Sequence, residues 1–190
     1  MGLTPTEGVA LTALAVTAIQ DHLFGGTQLS VPPLHAALCI AGASFVTLET
    51  TGALRGCIGT LDAVRPLYAD VTRNAVRALA DPRMPPVTPE DWPWLDIVVS
   101  VLSAHEPVPA GSRAELIAAL RPGLDGLLIE DGQRRATFLP VVWHKLNDPE
   151  AFLTALLVKG GWPENGWPVG LRAARYTTIE FHNRAPRTAT

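Results

Sequence analysis

Cysteine is scarce in this chain. Cys39 and Cys57 are the two cysteines among 190 residues, too few for the disulfide framework of a small secreted protein. Apolar residues make up 47% of the sequence, and a chain of this length buries a core that needs neither disulfides nor a metal to hold it. We therefore expect a protein of a reducing compartment, with a cytoplasmic location.

Charge is also sparse, and neither sign dominates. The sequence has 15 basic and 18 acidic residues, which gives a net charge of −3. A protein that grips the phosphates of a nucleic acid clusters Lys and Arg on one face or along one helix. The sequence contains no such cluster, so nucleic acid is excluded as an expected partner.

Membrane-spanning runs and paired metal-ligand spacings are missing as well. An uncharged, largely apolar run at residues 8–20 is shorter than the roughly 20 residues that span a bilayer. Glu7 precedes it, where a secretory signal carries Lys or Arg. The five histidines show no His-x-x-x-His spacing, although a metal site assembled from distant residues stays open. We expect no membrane association, no metal and no cofactor.

Four segments predict helices with defined ends. Thr4, Pro5 and Glu7 form a capping box with proline at the first helical position, and Gly25-Gly26 ends this helix. Asp81-Pro82 ends the second, because the residue before a proline avoids the helical region. The predicted helices run from Pro5 to about Phe24, from about Pro66 to Leu79, from Ser112 to about Leu120, and from Pro149 to Gly160.

Short stretches of apolar alternation predict strands joined by tight turns. Residues 95–102 are apolar on both faces for most of their length, which is typical of a central strand. Thr51-Gly52 and Asp131-Gly132 predict hairpin turns. The predicted strands are 36–40, 44–50, 54–58, 95–102, 126–130, 134–139 and 176–181.

Hairpins and helices are segregated along the chain and do not strictly alternate. This order predicts an α+β fold in which a mostly antiparallel sheet is flanked by helices, not a doubly wound parallel sheet. We expect a single domain over residues 1–184, followed by a disordered tail at 185–190.

The segment 54–60, Leu-Arg-Gly-Cys-Ile-Gly-Thr, is the part of the chain that could carry chemistry. If it is a strand, its alternation places Arg55 and Cys57 on one face, and Leu54 and Ile58 on the other as core residues. A guanidinium close to a thiol favours the thiolate and lowers the pKa of the cysteine. Cys57 and Arg55 are therefore the candidate catalytic residues.

A ligand-binding role is predicted for the residues around this pair. Gly56 and Gly59 leave backbone amides open to close approach by an anion, and Thr60 adds a hydroxyl. Arg83 either locks its own loop through Asp81 or reaches a small anionic ligand. A packing interpretation stays open, since a glycine in a strand often marks a bulge and a cysteine is often a small buried residue. In that interpretation Arg55 simply pairs with a surface carboxylate.

The string at 54–60 resembles the signature of the AMMECR family, also called AmmeMemoRadiSam system protein A. The likeness extends over most of the chain, in the same order. The further matching segments are Pro66-Leu67, Ala-Asp-Pro-Arg at 80–83, Pro85-Pro86-Val87, 97–102, Glu106-Pro107, Asp125-Gly126-Leu127, Phe138-Leu139-Pro140, Val142, Phe152-Leu153, Lys159-Gly160-Gly161 and Trp167.

The resemblance implies a fold and a set of partners, but not a reaction. It implies a larger α+β lobe and a smaller lobe, with the signature loop lining the cleft between them. Prokaryotic members tend to be encoded beside, or fused to, a radical SAM protein and a Memo-type protein similar to extradiol dioxygenases. Both are thus implied as partners, and no settled reaction belongs to the family.

Two functional hypotheses follow. In the first, the chain is a binding or accessory component that acts with the radical SAM and Memo-type proteins, because no acid/base pair accompanies Cys57. In the alternative, it is a cysteine-dependent enzyme acting on a small anionic substrate, with Cys57 as nucleophile or redox thiol. Arg55 would then hold the thiolate or the substrate.

Overall fold

The structure, a computed structural model, describes residues 2–26, 35–164 and 166–187. The chain forms two compact units, the larger comprising residues 1–102 and 179–190 and the smaller residues 103–178. Each unit has its own hydrophobic core. The division into two units does not test whether residues 1–184 form a single domain, which stays a prediction. The cleft also stays a prediction.

Helix α1 (Pro5–Phe24) begins and ends where the sequence predicts. The side chain of Thr4 accepts from the N–H of Glu7, and the Glu7 carboxylate accepts from the N–H of Thr4 at 2.7 Å. Gly25 ends the helix with a φ of 78°, in the left-handed region that glycine adopts without a steric penalty. The helix contributes three fully buried apolar side chains to the core of the larger unit, Leu11, Ala15 and Ile19.

A four-stranded sheet lies in the larger unit, with its strands in the order β10-β5-β2-β3. Strand β2 pairs antiparallel with both β3 and β5. The sheet strands are β2 (Ser44–Thr50), β3 (Ala53–Gly59), β5 (Leu95–Leu102) and β10 (Thr178–Asn183), and β1 (Ala41–Gly42) pairs separately with β4 (Arg65–Pro66). The order places β5 inside the sheet, as predicted for residues 95–102, and leaves β3 at an edge.

Helix α2 (Leu67–Ala78) packs against the sheet through the face that its periodicity predicts. Leu67, Val71, Ala75 and Ala78 are buried. The helix comes so close to β3 that a Cβ atom on Gly56 would lie 2.1 Å from the carbonyl oxygen of Ala78. This glycine is therefore required by packing, because any side chain there would meet the backbone.

The prediction of a strand at residues 36–40 is wrong. Residues Ala36–Cys39 form a turn of 3-10 helix, in which Leu38 is the buried residue. The four residues Ala-Ala-Leu-Cys include no β-branched or aromatic side chain, so little in the local sequence favours an extended strand. The turn Pro89–Trp94 before β5 is also a 3-10 helix.

The smaller unit has a second four-stranded sheet, in the order β6-β9-β7-β8, with every pair antiparallel. Its core includes the ring of Trp143 stacked on Phe152, with ring centroids 3.8 Å apart. Its elements are β6 (Glu106–Val108), α3 (Arg113–Ala119), β7 (Gly126–Glu130), β8 (Arg135–Phe138), a 3-10 turn (Pro140–His144), α4 (Pro149–Lys159) and β9 (Arg172–Tyr176). The predicted α+β class with mostly antiparallel pairing is thus confirmed.

The last strand, predicted as 176–181, is two strands. Strand β9 ends at Tyr176 in the sheet of the smaller unit, and β10 begins at Thr178 in the sheet of the larger unit. The segment 172–183 contains no glycine or proline, so its sequence gives no sign of the break at Thr177.

The start of the predicted tail, residues 185–187, is anchored. The backbone N–H of Ala185 donates to the Asp96 carboxylate at 2.7 Å, and the Arg187 side chain donates to the Leu95 carbonyl at 2.9 Å. The rest of the tail, 188–190, lies outside the described residues.

Replacing Gly56 by alanine should destabilise the protein by about 1–3 kcal/mol, the usual cost of overpacking a core. The reason is that the new methyl group meets a backbone carbonyl, which cannot turn away. Gly59 provides the matched control in the same strand, because its Cβ would meet the Phe45 ring at 2.2 Å, and a side chain can move. Denaturant midpoints that fall more for Gly59→Ala than for Gly56→Ala would contradict this account.

Tyr176 should make stability fall at alkaline pH. Burial raises its pKa to about 12, and its hydroxyl lies 2.6 Å from the Thr137 hydroxyl and 3.1 Å from the Phe138 carbonyl, to which it donates. Because the folded state favours neutral tyrosine, its contribution is full below about pH 10 and is lost between about pH 10 and 12. Two pK units correspond to about 3 kcal/mol.

The measurement is denaturant unfolding of the native protein and of Tyr176→Phe across that pH range. The variant should be the less stable at neutral pH, because it lacks the hydroxyl's hydrogen bonds, but should lose less stability as the pH rises. Parallel losses in the two proteins would show that another group titrates.

Candidate functional site

Strand β3 is not a regular strand through the motif. Its register with β2 pairs Leu48 with Gly56 but Glu49 with Leu54, so Arg55 is an extra residue in a β-bulge. The bulge breaks the predicted alternation. Leu54, expected in the core, is 40% exposed, and that expectation is wrong.

The Arg55 guanidinium binds a carboxylate. It donates two parallel hydrogen bonds to Asp91, at 2.8 and 3.0 Å. Asp91 also accepts from the backbone N–H of Thr88 at the start of the turn Pro89–Trp94. A bidentate pair of this kind has a fixed geometry. Arg55 thus ties β3 to the turn before β5, and its predicted pairing with Cys57 stays a prediction.

The Cys57 side chain lies on the opposite face of the sheet from Gly56 and α2. It is half-buried, directly across from Thr47 on β2, whose hydroxyl donates to the thiol sulfur at 3.3 Å. On the same face, the next pair toward the end of β3 is Phe45 with Gly59. A Cβ on Gly59 would collide with the Phe45 ring, so this glycine too is explained by packing.

The backbone of Cys57 is held by two side chains. Asp81 accepts from its N–H at 2.9 Å, and Arg83 donates to its carbonyl at 2.8 Å. Asp81 and Arg83 also bind each other, at 2.9 Å through Nε and 2.6 Å through Nη2. We call these two residues the edge clamp, because they lie along the free edge of β3. The predicted locking role of Asp81 and Arg83 is confirmed.

The electrostatics of the edge clamp follow from this geometry. The Arg83 side chain, donating to Asp81, holds the pKa of that carboxyl far below its usual range. In turn, the hydrogen bond and charge of Asp81 raise the pKa of Arg83, with a smaller contribution from the charge of an ionised Cys57. Arg83 is therefore close enough to feel the charge of a Cys57 thiolate.

Thr60 joins a buried polar network. The Asn74 amide donates to the Thr60 hydroxyl at 3.1 Å and to the Asp70 carboxylate at 3.0 Å. Asp70 also accepts from the backbone N–H and the hydroxyl of Ser44. Asp70, Asn74 and Ser44 are fully buried, and Arg65 completes the network with a 2.5 Å ion pair to Asp70.

Sequence reasoning missed this network, and it foresaw a carboxylate as a partner for Arg55 without identifying Asp91. One signal was available. Asp70 and Asn74 are four residues apart on α2, beside its apolar face, so they lie on one side of the helix and point toward the sheet. No local pattern links Arg55 to Asp91, which is 36 residues further along.

The described residues were also compared with the requirements of a metal site and of a membrane-spanning helix. Over residues 2–26, 35–164 and 166–187, His, Cys, Asp and Glu side chains form no group of three or more that could hold a metal ion. Among the described helices, none is long and apolar enough to cross a membrane.

The arrangement can present a thiol and bind an anion. The Cys57 thiol accepts a hydrogen bond from the Thr47 hydroxyl. A hydroxyl is too weak a base to remove the proton of a thiol at neutral pH. The Arg83 side chain is 59% exposed, and its Nη1 makes no hydrogen bond within the described part of the chain. Of the predicted site residues, Cys57 and Arg83 are brought together, whereas Arg55, Gly56, Gly59 and Thr60 are engaged in internal contacts.

Comparison with known proteins gives consistent matches over nearly the whole chain. A protein of Methanothermobacter thermautotrophicus is 40% identical over 184 residues, covering 95% of this chain and 96% of the relative. Protein MJ0810 of Methanocaldococcus jannaschii is 31% identical over 190 residues, covering 97% and 94%. The crystal structure of the uncharacterized protein PH0010 from Pyrococcus horikoshii is 31% identical, covers 97% of this chain and 95% of that one, and superposes with a TM-score of 0.90.

The family model described as AMMECR1 matches residues 12–181. This range contains the segment 54–60, the whole of the smaller unit and all of the larger unit except residues 1–11 and 182–190. The chain therefore belongs to the AMMECR1 family.

Proposed function

We propose that this chain is a binding or accessory component that presents the surface around Cys57 to a partner protein and to a small anionic ligand. The observation that supports this most directly is that the polar groups around Cys57 are bound to one another. A catalytic cysteine needs an oriented base to take its proton. Arg55, Asp81 and Arg83 are instead engaged in holding the strand.

Arg55 illustrates the point. Both of its terminal nitrogens are used by Asp91, and the pair is largely shielded, with 26% and 17% of the two side chains exposed. Moving the guanidinium to the thiol would break a bidentate bond and leave a mostly buried carboxylate unpaired, at a cost of several kcal/mol. Arg55 therefore has a positioning role.

Arg83 is the residue proposed to meet the ligand. Its Nε and Nη2 are bound to Asp81, but Nη1 offers two donors to solvent beside the half-buried thiol. The Asp81 carboxylate offsets most of the positive charge, so we expect weak binding that depends on hydrogen-bond geometry more than on charge. Gly56 and Gly59 allow the close packing of β3, and Thr60 joins the end of the strand to Asn74.

The proposed partners are the radical SAM protein and the Memo-type protein that the family resemblance implies. In this view the chain brings a ligand or a protein segment to an enzyme that performs the chemistry. The cleft lined by residues 54–60 remains part of the same prediction.

Co-elution tests the proposal. The native protein, Cys57→Ser and the control Cys39→Ser are each mixed with a radical SAM protein and a Memo-type protein of the same organism and separated by size. We expect all three to co-elute with a partner and to support the same yield of pathway product, because serine preserves the size of the side chain and its hydrogen bond with Thr47.

Two results would count against it. If Cys57→Ser binds its partner normally while the pathway product disappears, the thiol takes part in the reaction. If neither partner co-elutes with the native protein, the accessory role with these partners is wrong.

The alternative, a cysteine-dependent enzyme with Cys57 as nucleophile or redox thiol, has one observation in its favour. Arg83 lies close enough for an ionised Cys57 to raise the pKa of the guanidinium, and by reciprocity the guanidinium favours the thiolate. Asp81 opposes this effect. Its carboxylate accepts a hydrogen bond from the backbone N–H of Cys57, and a negative charge so close disfavours the thiolate.

The rate of Cys57 alkylation against pH separates the two functions. For a binding component we expect the rate to rise with an apparent thiol pKa at or above about 8.5, the ordinary value for cysteine. Cys39→Ser should be used throughout, so that only Cys57 reacts. An apparent pKa well below that value, returned toward it by Arg83→Met, would favour the enzyme.

A further inference from the structure

Residues 184–187, which we call the strap, follow β10 and lie against the turn before β5. The backbone N–H of Arg187 donates to the carbonyl of Pro93 at 3.0 Å. The Arg187 guanidinium donates from Nε to the carbonyl of Leu95 at 2.9 Å and lies over the ring of Trp92, 5.1 Å from its centroid. Trp92 is buried, and all of these residues belong to the larger unit. The strap therefore holds this turn through two backbone carbonyls and one core side chain.

The same turn also binds Arg55. Asp91 accepts the two parallel hydrogen bonds of the Arg55 guanidinium, and it lies two residues before the carbonyl that binds the strap. Within the turn, the N–H of Asp91 donates to the carbonyl of Thr88 at 3.0 Å. The N–H of Leu95 donates to the carbonyl of Trp92. Because these short-range bonds make the turn one unit, the strap and the β-bulge of β3 are attached to the same element.

The strap itself has little buried surface. Its four residues are exposed or half-buried. Beyond the contacts to the turn, the N–H of Ala185 donates to the Asp96 carboxylate at 2.7 Å, and the Arg187 guanidinium donates to the carbonyl of Asn183 at 2.9 Å. A segment held by a few hydrogen bonds, with little apolar surface buried, opens locally at a lower free energy than the whole fold. The strap should therefore open while the sheet stays folded.

We propose that the strap controls the order of the segment 54–60 through this turn. When closed, the strap fixes the turn and keeps Asp91 in place to bind Arg55. When open, it lets the turn move, which weakens the bidentate pair and loosens β3 at the bulge beside Cys57. The coupling is reciprocal, because both contacts bias the same turn: breaking the pair loosens the strap by the factor by which opening the strap weakens the pair. This inference does not rest on the proposed binding role.

Amide hydrogen exchange in the native protein and in Arg187→Met measures the effect on the turn. Thr88 is the reporter, because its N–H donates to the Asp91 carboxylate. We expect its exchange to be about fivefold faster in the variant, as the loss of one net hydrogen bond would give. The control is Arg184→Met, the same substitution at an exposed arginine of the strap, which should exchange at the native rate. Val99, fully buried on β5, reports unfolding of the whole unit and should be unchanged in both variants.

The reciprocal measurement starts from β3. Arg55→Met breaks the pair with Asp91 without touching the strap. Exchange at Ala185 and Arg187, whose N–H groups hold the strap closed, should then also be about fivefold faster. Arg73→Met, which removes an exposed arginine from α2, should leave the strap at its native rate. An unchanged strap in Arg55→Met would contradict the coupling, even if Arg187→Met failed to fold.

The consequence for the site is read from the alkylation rate of Cys57 at fixed pH, in a Cys39→Ser background. Arg187→Met should raise this rate about threefold through local opening, and its control should not. Faster exchange in the strap of Arg187→Met, with native rates at Thr88 and Cys57, would overturn the proposal. Equal acceleration at Val99 would also overturn it, because the strap would then stabilise only the fold as a whole.

Discussion

The buried carboxylate of Asp81 is the contact on which the shape of the site depends. It sits just after α2, binds the backbone of Cys57 and orients the guanidinium of Arg83. A carboxylate that is fully removed from water is tolerable only when its oxygens are satisfied, and here an arginine and two backbone amides satisfy them. The end of the helix, the turn after it and the edge strand are consequently held as one piece.

The same constraint explains the glycines of the motif. Once Asp81 draws the end of α2 onto β3, the carbonyl of Ala78 lies where the side chain of residue 56 would be. Gly56 is thus a consequence of the helix–strand distance. Gly59 has a parallel cause in the Phe45 ring. The absence of a side chain at these two positions allows close packing inside the larger unit. No ligand is needed to explain either glycine.

Much of the fold could be predicted from the sequence, because its signals are local. The capping box at Thr4, the helical periodicity of α2 and the alternation of β2 each specify an element within a few residues. A β-bulge was one alternative for the glycines of this segment, but its position at Arg55 could not be predicted, since it depends on the register between two strands. The break at Thr177 depends on which sheet each side joins. A carboxylate partner for Arg55 could be foreseen, but it could not be identified as Asp91, because that residue comes from a turn 36 residues further along the chain.

Packing contacts explain most residues of the segment 54–60. The residues that they do not explain are the ones to consider for a function. Arg55 is explained by Asp91, Gly56 by Ala78, Gly59 by Phe45 and Thr60 by Asn74, so each would be needed even in a protein with no ligand. Cys57 is different, because a serine could occupy the same space and accept the same hydrogen bond from Thr47. Nor do the described contacts require a leucine at the exposed position 54. The side chains that packing leaves unexplained are therefore a half-buried thiol and an exposed apolar side chain, a combination better suited to contact with a partner than to proton transfer.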